Sequence, residues 1–296
     1  MRLACGRPAG APPTPPGGGG RRKRVRRLGV ALAYVPVVAY AAALLLPLYY
    51  VVISSFKTNQ TIFLAPLEPP ARLSFTAYGR AEALANLSGA IENSVLVSLG
   101  AELVALALSV LAAFGIARIP SRLSSVIEGL FGLGFLVPVM AVLVPTFLLA
   151  VFTGLLHSLL FLVLFYPATV LPLSIILLTQ FMRTIPLEVE ESATIDGATR
   201  LQVLRHIILP LSMPGLATIA ILNIITFWNE YLFALILTDE GSRTVQVALP
   251  FLKEPQSVDF ALLSAGIVIT LVPVYAAYVV LQRRMQEALV AGAVKG

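Results

Sequence analysis

Six stretches of the chain are apolar almost without interruption, at roughly 28–53, 94–117, 126–151, 156–182, 211–237 and 261–282. About 20 apolar residues in a helix, at about 1.5 Å rise each, cross a hydrocarbon layer about 30 Å thick. An unpaired backbone amide in lipid is costly, so each run must close its hydrogen bonds internally, as a helix does. The runs lack the period-2 alternation of a β-barrel strand. Composition agrees, since 58% of residues are hydrophobic and 12% charged, against about 25% charged in a soluble domain. The expectation is an all-α polytopic membrane protein with six transmembrane helices. A soluble enzyme and a disordered regulator are excluded. So is a disulfide scaffold, because Cys5 is the only cysteine.

The charge is uneven. A net charge of +6 would suggest nucleic acid in a soluble protein. Here Arg21, Arg22, Lys23, Arg24, Arg26 and Arg27 abut the first apolar run. That position reads as a positive-inside anchor with attraction to anionic lipid, not as a nucleic-acid site. If the six runs alternate, sixteen of the 21 Lys and Arg residues fall on the side of the N-terminus. Both termini are therefore expected in the cytoplasm. Residues 1–20 are rich in Pro, Gly and Ala and have little apolar surface to bury, so disorder is expected there. The organisation read from sequence is a disordered, basic tail at 1–27 and a membrane domain at 28–296.

One inner connection is unlike the others. Residues 185–210 form a polar island between the fourth and fifth runs. Pro186 suits a first helical position, and Glu188, Glu190 and Glu191 crowd the opening turns, where the helix dipole favours negative charge. Asp196 and Gly197 end that helix, with Gly197 free to take a left-handed conformation. Thr199 and Gln202 have capping-box spacing for a second helix, which Pro210 closes. A rigid, charged helical hairpin at the inner surface suits a part that transmits displacement to a partner protein. An amphipathic element resting on the bilayer is the other reading.

The order Glu191-Ser192-Ala193, Gly197, Ile207, Leu209, Pro210 resembles the EAA loop of ATP-binding-cassette importer membrane subunits. Ser192 stands where that family usually has Ala, a small departure. The resemblance extends over about 28–296. It includes Ser55-Phe56-Lys57, Asn93-Ser94, Phe227-Trp228-Asn229-Glu230 and the C-terminal Ala291-Gly292-Ala293-Val294-Lys295-Gly296. Together these look like the smaller, six-span partner of a maltose-type carbohydrate importer. The resemblance implies a type I permease fold, a second permease subunit, two cytoplasmic ATPase subunits and an extracytoplasmic solute-binding protein. It also implies that the first helix of the loop docks on the ATPase through Glu190, Glu191, Ser192, Ala193, Asp196 and Gly197. ATP and Mg would sit on the partner ATPases, because the chain has no G-x-x-x-x-G-K followed by Ser or Thr. A permease for glycerol phosphate or another small solute fits the same pattern.

Polar residues inside a membrane are costly and point first to function. Asn223, Trp228, Asn229 and Glu230 on the fifth run could line a sugar path by hydrogen bonds and an aromatic face. They could equally be interfacial or partner contacts. Glu102, deeper in the second run, is expected to face protein, and Glu128 to lie near the inner interface. A proton-coupled carrier using Glu102 or Glu230 is the reading from a different class. Gly129, Gly132 and Gly134 suggest close helix packing. His157 and His206 are too few for a zinc site, and no nucleophile, base and acid come together. The chain is expected to be a transporter component and not an enzyme.

Overall fold

The computed structural model describes residues 19–119, 121–253 and 258–293. All regular structure among them is helical. The chain divides into a unit of residues 1–50 and a unit of residues 51–296.

The first unit holds most of α1 (Gly19–Ser54). This helix starts inside the segment expected to be a disordered tail, so the basic run at 21–27 forms its opening turns. Of residues 1–20, where disorder is expected, Gly19 and Gly20 open α1 and residues 1–18 lie outside the described residues.

In the second unit, α2 (Asn59–Leu64) and α3 (Thr76–Ala85) fill the connection after α1. The central pair is α4 (Leu87–Arg118) and α7 (Leu159–Arg183). Their backbones approach closely at Gly100, where a Cβ would lie 3.1 Å from both methyls of Val163. Small residues at such a crossing let helices pack without any hydrophobic drive in lipid.

Between them the chain departs from the sequence expectation. The run at 126–151 is not one straight span. It forms α5 (Arg122–Gly134), a 3-10 turn at Val139–Val142 and α6 (Leu143–Phe152), and the two halves meet at 95°. Pro138 stands at the corner in an extended conformation (φ −63°, ψ 126°). Proline offers no amide and pushes the residue before it out of the helical region. The Thr146 hydroxyl donates to the Val142 carbonyl at 2.7 Å, just past the break.

After α7 come α8 (Leu187–Ile195), α9 (Arg200–Val203), a π-helical turn at Leu204–Ile208 and α10 (Leu209–Leu211). Then α11 (Met213–Trp228) leaves at 75° to the Arg200–Leu211 segment. The expected fifth span at 211–237 is also interrupted. The helix stops at Trp228, and α12 (Leu232–Leu237) restarts after a three-residue break. α13 (Val245–Ala248), a 3-10 turn at Leu249–Leu252 and α14 (Phe260–Ala293) complete the chain. Among the described residues three helices are long and apolar enough to cross a membrane, or up to five when each bent pair counts as one span. Phe260–Ala276 of α14 is a shorter apolar helix.

Three apolar clusters hold the second unit. One joins α4, α6, α7, α11 and α12 around Tyr166, Phe227 and Phe233. A second joins the lower parts of α4, α7 and α11 to the hairpin through Met182, Ile185, Val203, Leu204 and Ile208. A third packs α3, the start of α4, the 245–252 segment and α14. The glycine cluster on α5 is mostly not a packing seam within this chain. Only Gly134 has a neighbour, Pro172, and nothing lies within 4 Å of a Cβ at Gly129 or Gly132.

A tighter seam lies at Gly215, where a Cβ would sit 2.7 Å from Cγ of Phe181. Gly215→Val should therefore lower the thermal midpoint of the purified protein, with a cost of about 1–3 kcal/mol from overpacking. Adding Phe181→Ala should recover part of that loss in the same melting assay.

Candidate functional site

The hairpin forms as its caps dictate. Leu187–Ile195 carries Glu188 and Glu190 in its first turn and has no basic residue in its last. It ends at Gly197, whose φ of +86° only glycine adopts without strain. Two bonds complete the stop. The Gly197 amide donates to Thr194 at 3.0 Å and the Ala198 amide to Ala193 at 2.9 Å, the paired pattern that satisfies the last carbonyls of a helix. Thr199 and Gln202 form the expected capping box, each side chain meeting the other's backbone. Pro186 sits one residue earlier than expected, at the cap itself.

The six hairpin residues do not share one environment. Glu191, Ser192, Asp196 and Gly197 are exposed. Ala193 packs inward on the second apolar cluster. Glu190 also points inward. Its carboxylate forms an ion pair with Arg118, the last residue of α4, and their side chains are 14% and 7% exposed. Arg118 donates as well to the Ile185 carbonyl at 3.0 Å. Nearby, Arg183 at the end of α7 holds Glu128 of α5 with two bonds of 2.9 and 2.8 Å. Asp196, Gly197, Ala198, Gln202, His206 and Ile207 line a shallow, open depression of about 340 Å3. Ile195 (85% exposed) and Leu201 (69%) leave apolar surface on the outer part of the hairpin.

Sequence reading missed Arg118. It counted that residue only as positive charge on the inner side, and no local spacing links it to Glu190.

The π-helical turn has a local cause. Pro210 has no amide to return to the turn before it. The Leu209 amide reaches back five residues to the Leu204 carbonyl, and the Ser212 amide donates to Ile208 at 2.8 Å. Single π turns of this kind often mark functional places in helices.

The four polar candidates on the fifth run are not brought to one point. Asn223 is buried between helices, where its Oδ1 accepts from the Ser174 hydroxyl at 3.1 Å. Glu102, also buried, faces the same amide. Glu230 sits at the helix break. Its carboxylate accepts from the Tyr166 hydroxyl at 2.8 Å and from the Phe233 and Ala234 amides at 2.9 Å each. It thus satisfies the free amides that open α12. Asn229 is exposed but turns its amide back to the Ile225 carbonyl at 2.8 Å. Trp228 is partly exposed beside it.

Other motif residues from the sequence also serve as fasteners. Asn93 donates to the Gly241 and Arg243 carbonyls, and Ser94 accepts the Val245 amide at 2.8 Å, pinning that loop to α4. In the same loop Ser242 bonds Asp239 and holds its carboxyl below the usual carboxylate range. Ser55 meets the Tyr78 hydroxyl at 2.7 Å, and buried Lys57 donates to the Ala65 carbonyl at 2.8 Å. His157, in left-handed backbone (φ 65°), donates its amide to the Leu237 carbonyl. Among the described residues no three His, Cys, Asp or Glu side chains group as metal ligands. The last residues of the C-terminal motif, 294–296, lie outside the described residues.

Long apolar helices, two of them formed from bent pairs, with a capped charged hairpin fastened to their ends, define a polytopic membrane protein. Residues 105–290 match the family of binding-protein-dependent transport system inner membrane components, and the chain belongs to it. It is 32% identical over 252 residues to the probable starch degradation products transport system permease protein AmyC of Thermoanaerobacterium thermosulfurigenes, covering 84% of this chain and 91% of that one. It is also 32% identical over 260 residues to the diacetylchitobiose uptake system permease protein NgcG of Streptomyces coelicolor, covering 86% of this chain and 85% of that one. The trehalose transport system permease protein SugB of Mycobacterium tuberculosis is 33% identical over 88% of this chain and 94% of its own. The fold matches a chain in the crystal structure of a bacterial ABC transporter that imports the acidic polysaccharide alginate. The TM-score is 0.76 at 24% identity, over 91% of this chain and 99% of that one.

If Glu230 is mainly a cap, Glu230→Ala should destabilise the protein by about 1.5–3 kcal/mol, the range for a hydrogen-bonded charge. Tyr166→Phe should then add less in that background than alone, since the two share one bond. A thermal double-mutant cycle measures both.

Proposed function

We propose that the chain is the permease subunit of a binding-protein-dependent importer for a sugar or oligosaccharide. Membership of the transport family supports the class, and relatives named for starch products, diacetylchitobiose and trehalose support the substrate class. The assembly includes a second permease subunit, a cytoplasmic ATPase pair and an extracytoplasmic solute-binding protein. A neighbour solved with an oligosaccharide-bound periplasmic protein favours this composition. ATP and Mg belong to the ATPases, and this chain performs no chemistry of its own. In this reading α14 is the sixth span, and both termini face the cytoplasm, as the distribution of Lys and Arg favours.

The hairpin is the coupling element, and its caps and exposed face carry that reading. Glu191, Ser192, Asp196 and Gly197 offer polar and backbone groups outward, flanked by exposed Ile195 and Leu201. A surface of mixed charge and apolar area fits a protein groove better than a lipid headgroup layer. Glu190 and Ala193 fasten the helix from behind. ATP-driven closure of the motor would displace the hairpin, and the spans would alternate access around a central path. Trp228 and Asn229, exposed to different degrees at the helix break, are the pair assigned to that path. Asn223 and Glu230 support it from within the fold.

Gly197→Asp and Glu191→Lys should leave the chain in the membrane while sugar uptake falls at least about tenfold, within the range of coupling losses between linked sites. Uptake of a panel of diacetylchitobiose, trehalose, melibiose and raffinose into vesicles holding the full complex measures it. Normal uptake by both variants would defeat the coupling assignment. Alanine at Trp228 and Asn229 should alter the order of preference within the same panel. Unchanged kinetics would return both residues to a structural role.

A further inference from the structure

Apolar packing alone does not fix how the hairpin moves. The contacts under it, from Ile185, Ala193, Val203, Leu204 and Ile208 to α4, α7 and α11, are non-directional and tolerate sliding. Arg118 supplies what they lack. It is the terminal residue of α4, the helix most extensively packed against α7. Its guanidinium reaches two separate points of the hairpin base, the Ile185 carbonyl before α8 and the Glu190 carboxylate within it. Two anchors on a rigid planar group set an orientation, where one would set only a distance. The pair is also largely withdrawn from water, with 7% and 14% of the side chains exposed. It is therefore weakly screened and expensive to break on one side.

We infer that Arg118 is the positioning residue that makes the hairpin and α4 move as one body. A push on the hairpin then rotates a membrane-spanning helix instead of tilting a loose surface element. The inference rests on the hairpin being the coupling element. It goes further by naming the helix that receives the motion and the side chain that transfers it.

Removing only one charge would strand the other, so the decisive variant removes both. Arg118→Met with Glu190→Leu replaces a buried pair by apolar side chains of similar size, a change that commonly preserves folding. Spin labels at Glu188→Cys, exposed on α8, and Leu103→Cys, 72% exposed on α4, report the distance between hairpin and helix in the full reconstituted complex. With Arg118 and Glu190 in place, that distance should be the same with and without a non-hydrolysable ATP analogue. In the apolar double variant it should shift or broaden on nucleotide binding. Sugar accumulated per ATP hydrolysed should fall by about tenfold, inside the range seen for residues that transmit coupling. Arg118→Lys keeps the charge opposite Glu190 but cannot hold both anchors, and should give an intermediate ratio. It also serves if the double variant fails to assemble.

A purely structural role predicts a different pattern, in which the variants lose abundance or melting temperature while transport per ATP stays at the wild-type value. That result, or an unchanged label distance in the double variant, overturns the inference. A cross-link from Glu191→Cys to the ATPase separates the two levels of failure. If the cross-link forms and the ratio is unchanged, only the role of Arg118 is lost. If it does not form in an otherwise wild-type chain, the coupling reading falls and takes this inference with it.

Discussion

In a lipid interior every backbone amide and carbonyl must find a partner within the protein. A straight helix meets that demand unaided. Every departure from one exposes polar groups that a side chain or a rerouted backbone bond has to satisfy. Among the described residues such departures include the 95° corner before α6, the stop after Trp228, and the widened turn before Pro210 with its 75° bend into α11. Each has its local repair. At the first, the Val137 and Ala141 amides turn back to the Gly134 and Pro138 carbonyls, and at the second Glu230 accepts the amides that open α12. At the third, the repair is the longer reach of the backbone itself. Polar residues are sparse in these helices, and several of them sit where the helix is broken.

The same demand explains how different the two ends of the fold are. At one end Asn93 and Ser94 sew the loop before α13 to α4, while Ser55 meets Tyr78 of α3 and Lys57 closes on the Ala65 carbonyl after α2. At the other, two charge pairs sit where helices end. Arg183 and Glu128 tie α7 to α5 in partly solvated surroundings, where an ion pair contributes little. Arg118 and Glu190 are more deeply enclosed. There the cost of desolvation offsets much of the attraction, and what the pair adds is a defined geometry. Placing such a pair beneath a hairpin trades some folding stability for a fixed attitude of that hairpin.

What the sequence revealed, and what it hid, follows the range of the forces involved. The membrane class was legible because hydropathy is a property of runs. The hairpin was legible almost to the residue, because Pro186, Gly197, Thr199 and Gln202 act within one turn of themselves. The two broken spans were hidden. Apolar residues continue through residues 135–138, where only Pro138 hinted at a break, while at 229–231 the polar pair Asn229-Glu230 was visible but carries no helix-stop signal of its own. Glu230 was read as a path residue because its charge was visible and the amides it caps were not. The Arg118–Glu190 pair belongs to tertiary structure and left no mark in local spacing.

The π-helical turn at Leu204–Ile208 holds one residue more than an α-helical turn would over the same rise. Each residue of an α-helix turns the chain by about 100°. The azimuth at which the hairpin leaves α11 is thus encoded in a head-count. Losing a single residue between Leu204 and Pro210 would keep every side chain chemically adequate, yet swing the whole appendage to another side of the bundle. Insertions and deletions in this short stretch should be far more damaging than most substitutions there.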